Sequence, residues 1–304
     1  MKSRSTALLW TGAYLLLILS LLTSLSMITA FLLIVPVIVL YNILNTKKFF
    51  LHVVPVWLIA FIIHPVYLFL ALYFVIPAIL MGRCYKRRAS ALRTIVVGAA
   101  TILVEMLLLL LIGTMLFQFD LSGYVQDMVN VAVKPMQEMV GNSALTKDFV
   151  LTKEYMDSLM NMTVQRIPFA LILSSFMLSI IAHVITRPIL GRMGYTTTRL
   201  KPVREWMFPR SLIWYYLLGV VLEFMAFNSE SSYLTMISAN LVPMLNIFFC
   251  IQAMAFFFFI AYHRKWHPVI PFLLAVPVFL FPPMAIIGII DIAFPLRQLM
   301  TKSK

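Results

Sequence analysis

The stretch TIVVGAATILVEMLLLLLIGTMLF, residues 94–117, carries one charged side chain, Glu105, in an otherwise uncharged, largely apolar run. As a helix rising ~1.5 Å per residue it reaches ~36 Å, more than the ~30 Å hydrocarbon layer of a bilayer demands. Comparable apolar runs occupy 7–45, 49–82, 167–186, 211–227, 233–262 and 268–300. With 62% hydrophobic and 12% charged residues and a mean hydropathy of +0.97, the chain exceeds what a soluble core of this length needs. No alternating apolar and polar pattern of a membrane barrel accompanies these runs. An all-α, polytopic transmembrane helix bundle in the cell membrane follows.

The start, MKSRSTALLWTGAYLLLILSLL, resembles a signal peptide in its basic lead and apolar body. A second apolar run follows where a cleavage site and a polar segment would be expected, so the reading is an uncleaved first span. The runs 7–45 and 49–82 are long enough for two crossings each, with breaks near Ser24-Leu25-Ser26 and His64-Pro65. In 268–300, Pro282-Pro283 predicts a turn between two short crossings or a re-entrant pair.

Most of the 24 lysines and arginines fall on one side under this threading: Lys2, Arg4, Lys47, Lys48, the 83–93 cluster, the 187–210 cluster, Arg264, Lys265, Arg297, Lys302 and Lys304. The positive-inside bias makes that side cytoplasmic. The expectation is about eight to ten membrane segments with both termini cytoplasmic, forming a single integral membrane domain over 1–304. An extracytoplasmic, partly helical loop is expected at 118–166, and a basic cytoplasmic loop at 187–210. In the outer loop, LTKEYMDSLMNMTVQRI spaces Met156, Leu159, Met160, Val164 and Ile167 at near-helical intervals, with Thr152 as N-cap and Glu154 in the first turn.

A charge at the bilayer centre costs ~2.5–3.5 kcal/mol on insertion scales, which makes the intramembrane ionisable residues the first candidates for ligand binding or coupling. Glu105, twelve residues beyond Arg93, falls near mid-membrane. Glu223, five residues before Asn228, falls towards the outer side. Asp291 lies six residues before Arg297, near the cytoplasmic interface, and suits a structural ion pair with it. In 167–186, Ser175, Ser179 and His183 share a helix face that ends at Arg187; His183 and Ser179 join Glu105 and Glu223 as ligand-binding or coupling candidates. Helix packing through hydrogen bonds is the plainer reading for each. Asn240, Asn246 and Gln252 add polar positions near Pro243, where a kink could free a carbonyl.

The basic loop RPILGRMGYTTTRLKPVREWMFPRS, 187–211, attracts anionic headgroups or a cytoplasmic partner through Arg199, Lys201 and Arg204, with Trp206 as an interfacial anchor. The net charge of +13 is thereby explained by topology, and no nucleic-acid partner is expected. Cys84 and Cys250 have no ligand-type spacing, so no metal and no disulfide framework are expected. Walker, HExxH and GxSxG motifs are absent from the sequence, so neither a catalytic role nor a cofactor is expected.

The segments WMFPRSLIWYYLL, 206–218, and GIIDIAFPLR, 288–297, together with the hydropathy profile and the single extended outer loop, resemble the YybS-type membrane proteins of Gram-positive bacteria. Within that pattern Gly288 and Asp291 precede an aromatic, Phe294, and Arg297; Pro295 stands where a polar residue is expected and interrupts helical continuity. The resemblance implies no established activity. Its layout is similar to the substrate-binding membrane subunits of energy-coupling-factor vitamin transporters, with Ala7 and Thr11 in the small-residue positions those subunits turn to a partner. The resulting expectation is a small-solute-binding subunit that captures its solute from the outer side and depends on a cytoplasmic energy-coupling protein; the alternative is a scaffold or regulatory membrane protein recruiting a cytoplasmic partner.

Overall fold

Every regular element in the computed structural model is helical; residues 2–141, 153–227, 231–294 and 296–302 are described, and no strand occurs among them. In chain order the helices are α1 (Lys2–Ser20), α2 (Ser26–Leu32), α3 (Ile34–Ile43), α4 (Thr46–Ile63), α5 (Pro65–Tyr73), α6 (Val75–Lys86), α7 (Ala91–Leu116), α8 (Leu121–Gly141) and α9 (Lys153–Gln165). They continue as α10 (Ile167–Arg192), α11 (Ser211–Phe227), α12 (Ser232–His263), α13 (Val269–Leu280), α14 (Ala285–Ala293) and α15 (Leu296–Lys302). Five are long and apolar enough to cross a membrane: Thr46–Ile63, Pro65–Lys86, Ala91–Leu116, Ile167–Arg192 and Tyr233–His263, the second counting α5 and α6 as one. The bent pair α13 and α14, which turns by 108°, is a sixth candidate. Their outward faces carry large apolar side chains, Ile62, Leu116 and Leu280 among the most exposed, as helices solvated by lipid require.

Sequence explains where the helices start and stop. Pro65 opens α5 at the position where its missing N–H costs nothing, and His64, in extended conformation, ends α4 and accepts the Val66 N–H at Nδ1, 3.2 Å away. Asn45 and Ser90 cap α4 and α7 by accepting the N–H groups of Lys48 and Arg93. Three helices end in the same left-handed turn. Arg88, Gly194 and Lys265 have φ of 52°, 87° and 54°, and the next residue donates its N–H to a carbonyl five positions back: Ala89 to Cys84, Tyr195 to Leu190 and Trp266 to Ala261. Only one of the three is glycine. The capping reading of Thr152 lies outside the described residues, as does Pro295.

The chain forms two compact units, Met1–Phe119 with Leu171–Leu200, and Asp120–Ala170 with Lys201–Lys304. In the first, α3 is buried nearly all round, from Ile34 to Leu40, and packs against α1, α4 and α6. Tyr14 is fully buried; its hydroxyl donates to the Ala71 carbonyl at 3.2 Å and accepts the Trp57 indole N–H at 3.3 Å. In the second unit, α12 is the spine on which α11, α13 and α14 pack. Gly288 of α14 lies directly on the Phe249 carbonyl of α12, an approach that leaves no room for a Cβ. Asn240 of α12 donates to the Gln165 carbonyl at 2.7 Å and accepts the Phe169 N–H at 2.8 Å, which spends its amide on packing.

Candidate functional site

The 203–208 segment, α12, α14 and α15 build a strongly polar site in the second unit. Gly288 brings α14 against α12, and three residues on, Asp291 is carried to the same face and is completely buried. A buried carboxylate needs charge and donors. Arg297 supplies both: Nε lies 3.1 Å from each carboxylate oxygen and Nη2 lies 2.6 Å from Oδ2. The Gln252 amide donates to the same Oδ2, while its carbonyl oxygen accepts the Phe208 N–H at 2.9 Å. Arg297 Nη1 also donates to the Arg204 carbonyl at 2.9 Å. One network thus fixes the basic segment, the spine helix and the last two helices.

Above this network opens a cavity of about 590 Å³ lined by Arg204, Arg210, His263, Arg297, Phe259 and Tyr262, with Glu205 as its acidic member. The Arg204 guanidinium sits 3.8 Å from the centre of the Tyr262 ring, and Arg297 lies 5.2 Å from that of Phe259. The cation–π contact holds the Arg204 side chain at the cavity wall, whereas the Arg297 guanidinium is engaged by Asp291 and the Arg204 carbonyl. Such a site suits an anion with an apolar or aromatic portion. Trp206 donates its indole N–H to the Lys201 carbonyl at 2.8 Å, which stiffens the same segment; Lys201 is exposed there, and Arg199 is exposed in the first unit.

The ligand candidates in the first unit do not assemble into one pocket. Ser179 is fully buried and donates to the Ile95 carbonyl of α7 at 2.7 Å. His183, one turn on and also buried, pairs through Nδ1 with the Tyr85 hydroxyl at 2.7 Å, the two rings lying nearly parallel. Glu105 lies elsewhere along α7: both its oxygens are buried without a hydrogen-bond partner. Glu223 belongs to the second unit and is exposed on α11. Neither Glu105 nor Glu223 lines the cavity described above or the apolar groove of about 380 Å³ between Trp10, Leu17, Val35 and Ile189. No group of three or more His, Cys, Asp and Glu that could hold a metal ion occurs among the described residues.

Sequence reasoning missed Tyr85 and underrated Gln252. An unpaired tyrosine in a basic run and a single amide in an apolar helix carry no spacing signal; their partners are 98 and 39 residues away.

Residues 13–292 match the protein family described as "Predicted membrane protein (DUF2232)". The protein named "Uncharacterized protein YybS" from Bacillus subtilis (strain 168) is 25% identical over 226 residues, which covers 72% of each chain. No solved structure matches.

Proposed function

The chain belongs to the DUF2232 family of predicted membrane proteins, and from that premise we propose that this multi-pass protein is a non-enzymatic binding subunit for a small anionic solute. The observation that carries this reading is the basic, aromatic-lined cavity of the second unit, two of whose arginines, Arg204 and Arg297, are held by Tyr262, Phe259 and Asp291, with Arg210 beside them. A cavity of about 590 Å³ falls within the ~300–1,000 Å³ typical of small-molecule sites. The positive-inside bias puts it at the cytoplasmic face, where an energy-coupling or regulatory protein would act. Eight crossings, the five long helices with the shorter apolar helices Ser5–Ser20, Ile28–Ile43 and Ser211–Phe227, fit this reading with both termini cytoplasmic, as do ten with α13 and α14 as two more.

Thermal-shift screening of the purified full-length protein against phosphorylated and carboxylated solutes tests it. A compound class should raise the melting temperature of wild type and leave Arg204→Gln/Arg210→Gln unmoved. Equal shifts in both proteins, or none in wild type, would reject the site.

The second reading, a scaffold that recruits a cytoplasmic partner, rests on the stiffened segment that exposes Lys201 beside the Trp206 hydrogen bond. Neutralising Arg199 and Lys201, neither of which lines the cavity, would then remove a specific protein from membrane pull-downs while leaving solute-dependent stabilisation intact.

A further inference from the structure

The face of α10 that ends in a basic cluster presents polar atoms that nothing in the first unit satisfies. His183 and Thr186 are 2% and 0% exposed, yet His183 Nε2 and Thr186 Oγ1 have no hydrogen-bond partner, and neither does the buried Nε of Arg187. At 100° per residue Thr186 and Arg187 flank His183 on one face spanning about 100°. Tyr85 closes the other side: its hydroxyl occupies His183 Nδ1. A helical threonine usually returns its hydroxyl to the carbonyl four residues back, as Thr94 and Thr101 do here; Thr186 does not.

Among the described residues Arg187 has no ion pair. The 195–200 segment is tied to the same end by the Thr198 hydroxyl, which donates to the Ala89 carbonyl at 2.6 Å. Buried O–H and N–H groups beside an uncompensated guanidinium make a site for an oxyanion, and several acceptor oxygens with at least one negative charge describe a phosphate group.

We propose that His183, Thr186 and Arg187, closed by Tyr85, bind the phosphate of a phosphodiester or phosphomonoester ligand, with a phospholipid headgroup as its nearest source at the end of a membrane span. This site is independent of the cavity in the second unit. With Tyr85 donating to Nδ1, His183 Nε2–H joins Thr186 O–H and Arg187 N–H as donors to the phosphate oxygens.

Native mass spectrometry of the full-length protein in detergent tests the assignment, with phosphatidylglycerol as probe and diacylglycerol, which lacks phosphate, as control. Wild type should retain phosphatidylglycerol, and Arg187→Met should weaken it about tenfold, the loss of one charge-assisted contact. Thr186→Val, which keeps the side-chain shape, should weaken it several-fold while the variant elutes and melts like wild type. Lipid retention that survives millimolar inorganic phosphate assigns the site to a headgroup; competition by inorganic phosphate, itself lost in both variants, assigns it to a soluble phosphate compound. Equal phosphatidylglycerol retention by wild type and both variants, or diacylglycerol binding as strong, would overturn the proposal.

Discussion

Arg297 reaches back across the break between α14 and α15 to hold Asp291 through both carboxylate oxygens, with Nη2 2.6 Å from Oδ2, at a point where the carboxylate has no access to solvent. Removing one member of such a pair leaves the other charge buried. Arg297→Met should therefore destabilise by about 3–5 kcal/mol, and Arg297→Met with Asp291→Asn together by less than either effect added. Thermal unfolding in detergent measures this; additive losses would show that the two residues act separately.

At Gly288 the expected outcome is loss of folded protein. A Cβ there would meet the Phe249 carbonyl, and a backbone atom of a buried spine helix cannot rotate away. Gly288→Ala should cost at least about 2 kcal/mol, near the upper range for overpacking, while Gly12→Ala, with nothing within 4 Å, should not be destabilising. Monodispersity on gel filtration separates the two.

The three matched helix ends allow a signed comparison. Gly194→Ala meets no steric neighbour, so its cost is that of the left-handed backbone alone, about 1 kcal/mol. Lys265→Gly relieves the same strain and should stabilise by a few tenths to ~1 kcal/mol, less the helix-dipole interaction of the lysine. Melting temperatures moving in the same direction for both would refute this.

Tyr14→Phe should cost about 1–2 kcal/mol, because the lost hydroxyl both donates to Ala71 and receives the Trp57 N–H in the core of the first unit. Trp57→Phe in the same background should then cost less than it does in wild type, since its N–H has already lost its acceptor; equal costs in both backgrounds would count against a shared bond.

The helical class, the breaks near residues 24 and 64 and the turn at Pro282-Pro283 were legible because lipid demands long apolar runs and prolines punctuate them. The site was legible only in part. Asp291 and Arg297 are near in sequence, so spacing suggests their pairing; Tyr85 and His183 are not, so it cannot. Glu223 shows the sharper obstacle. In a membrane protein the faces turned to lipid and to protein are equally apolar, and periodicity does not say that Glu223 is exposed on α11.

Arg204 contributes to the fold through its carbonyl and to the cavity through its guanidinium. Backbone and side chain at this position are thus uncoupled, which makes it a place to install a reporter. An environment-sensitive amino acid at 204 would look into the cavity while the bond from Arg297 remained, and its signal would show how the cavity responds to losing the Arg204 charge. A reporter protein that melted well below wild type would show that the side chain matters to the fold after all.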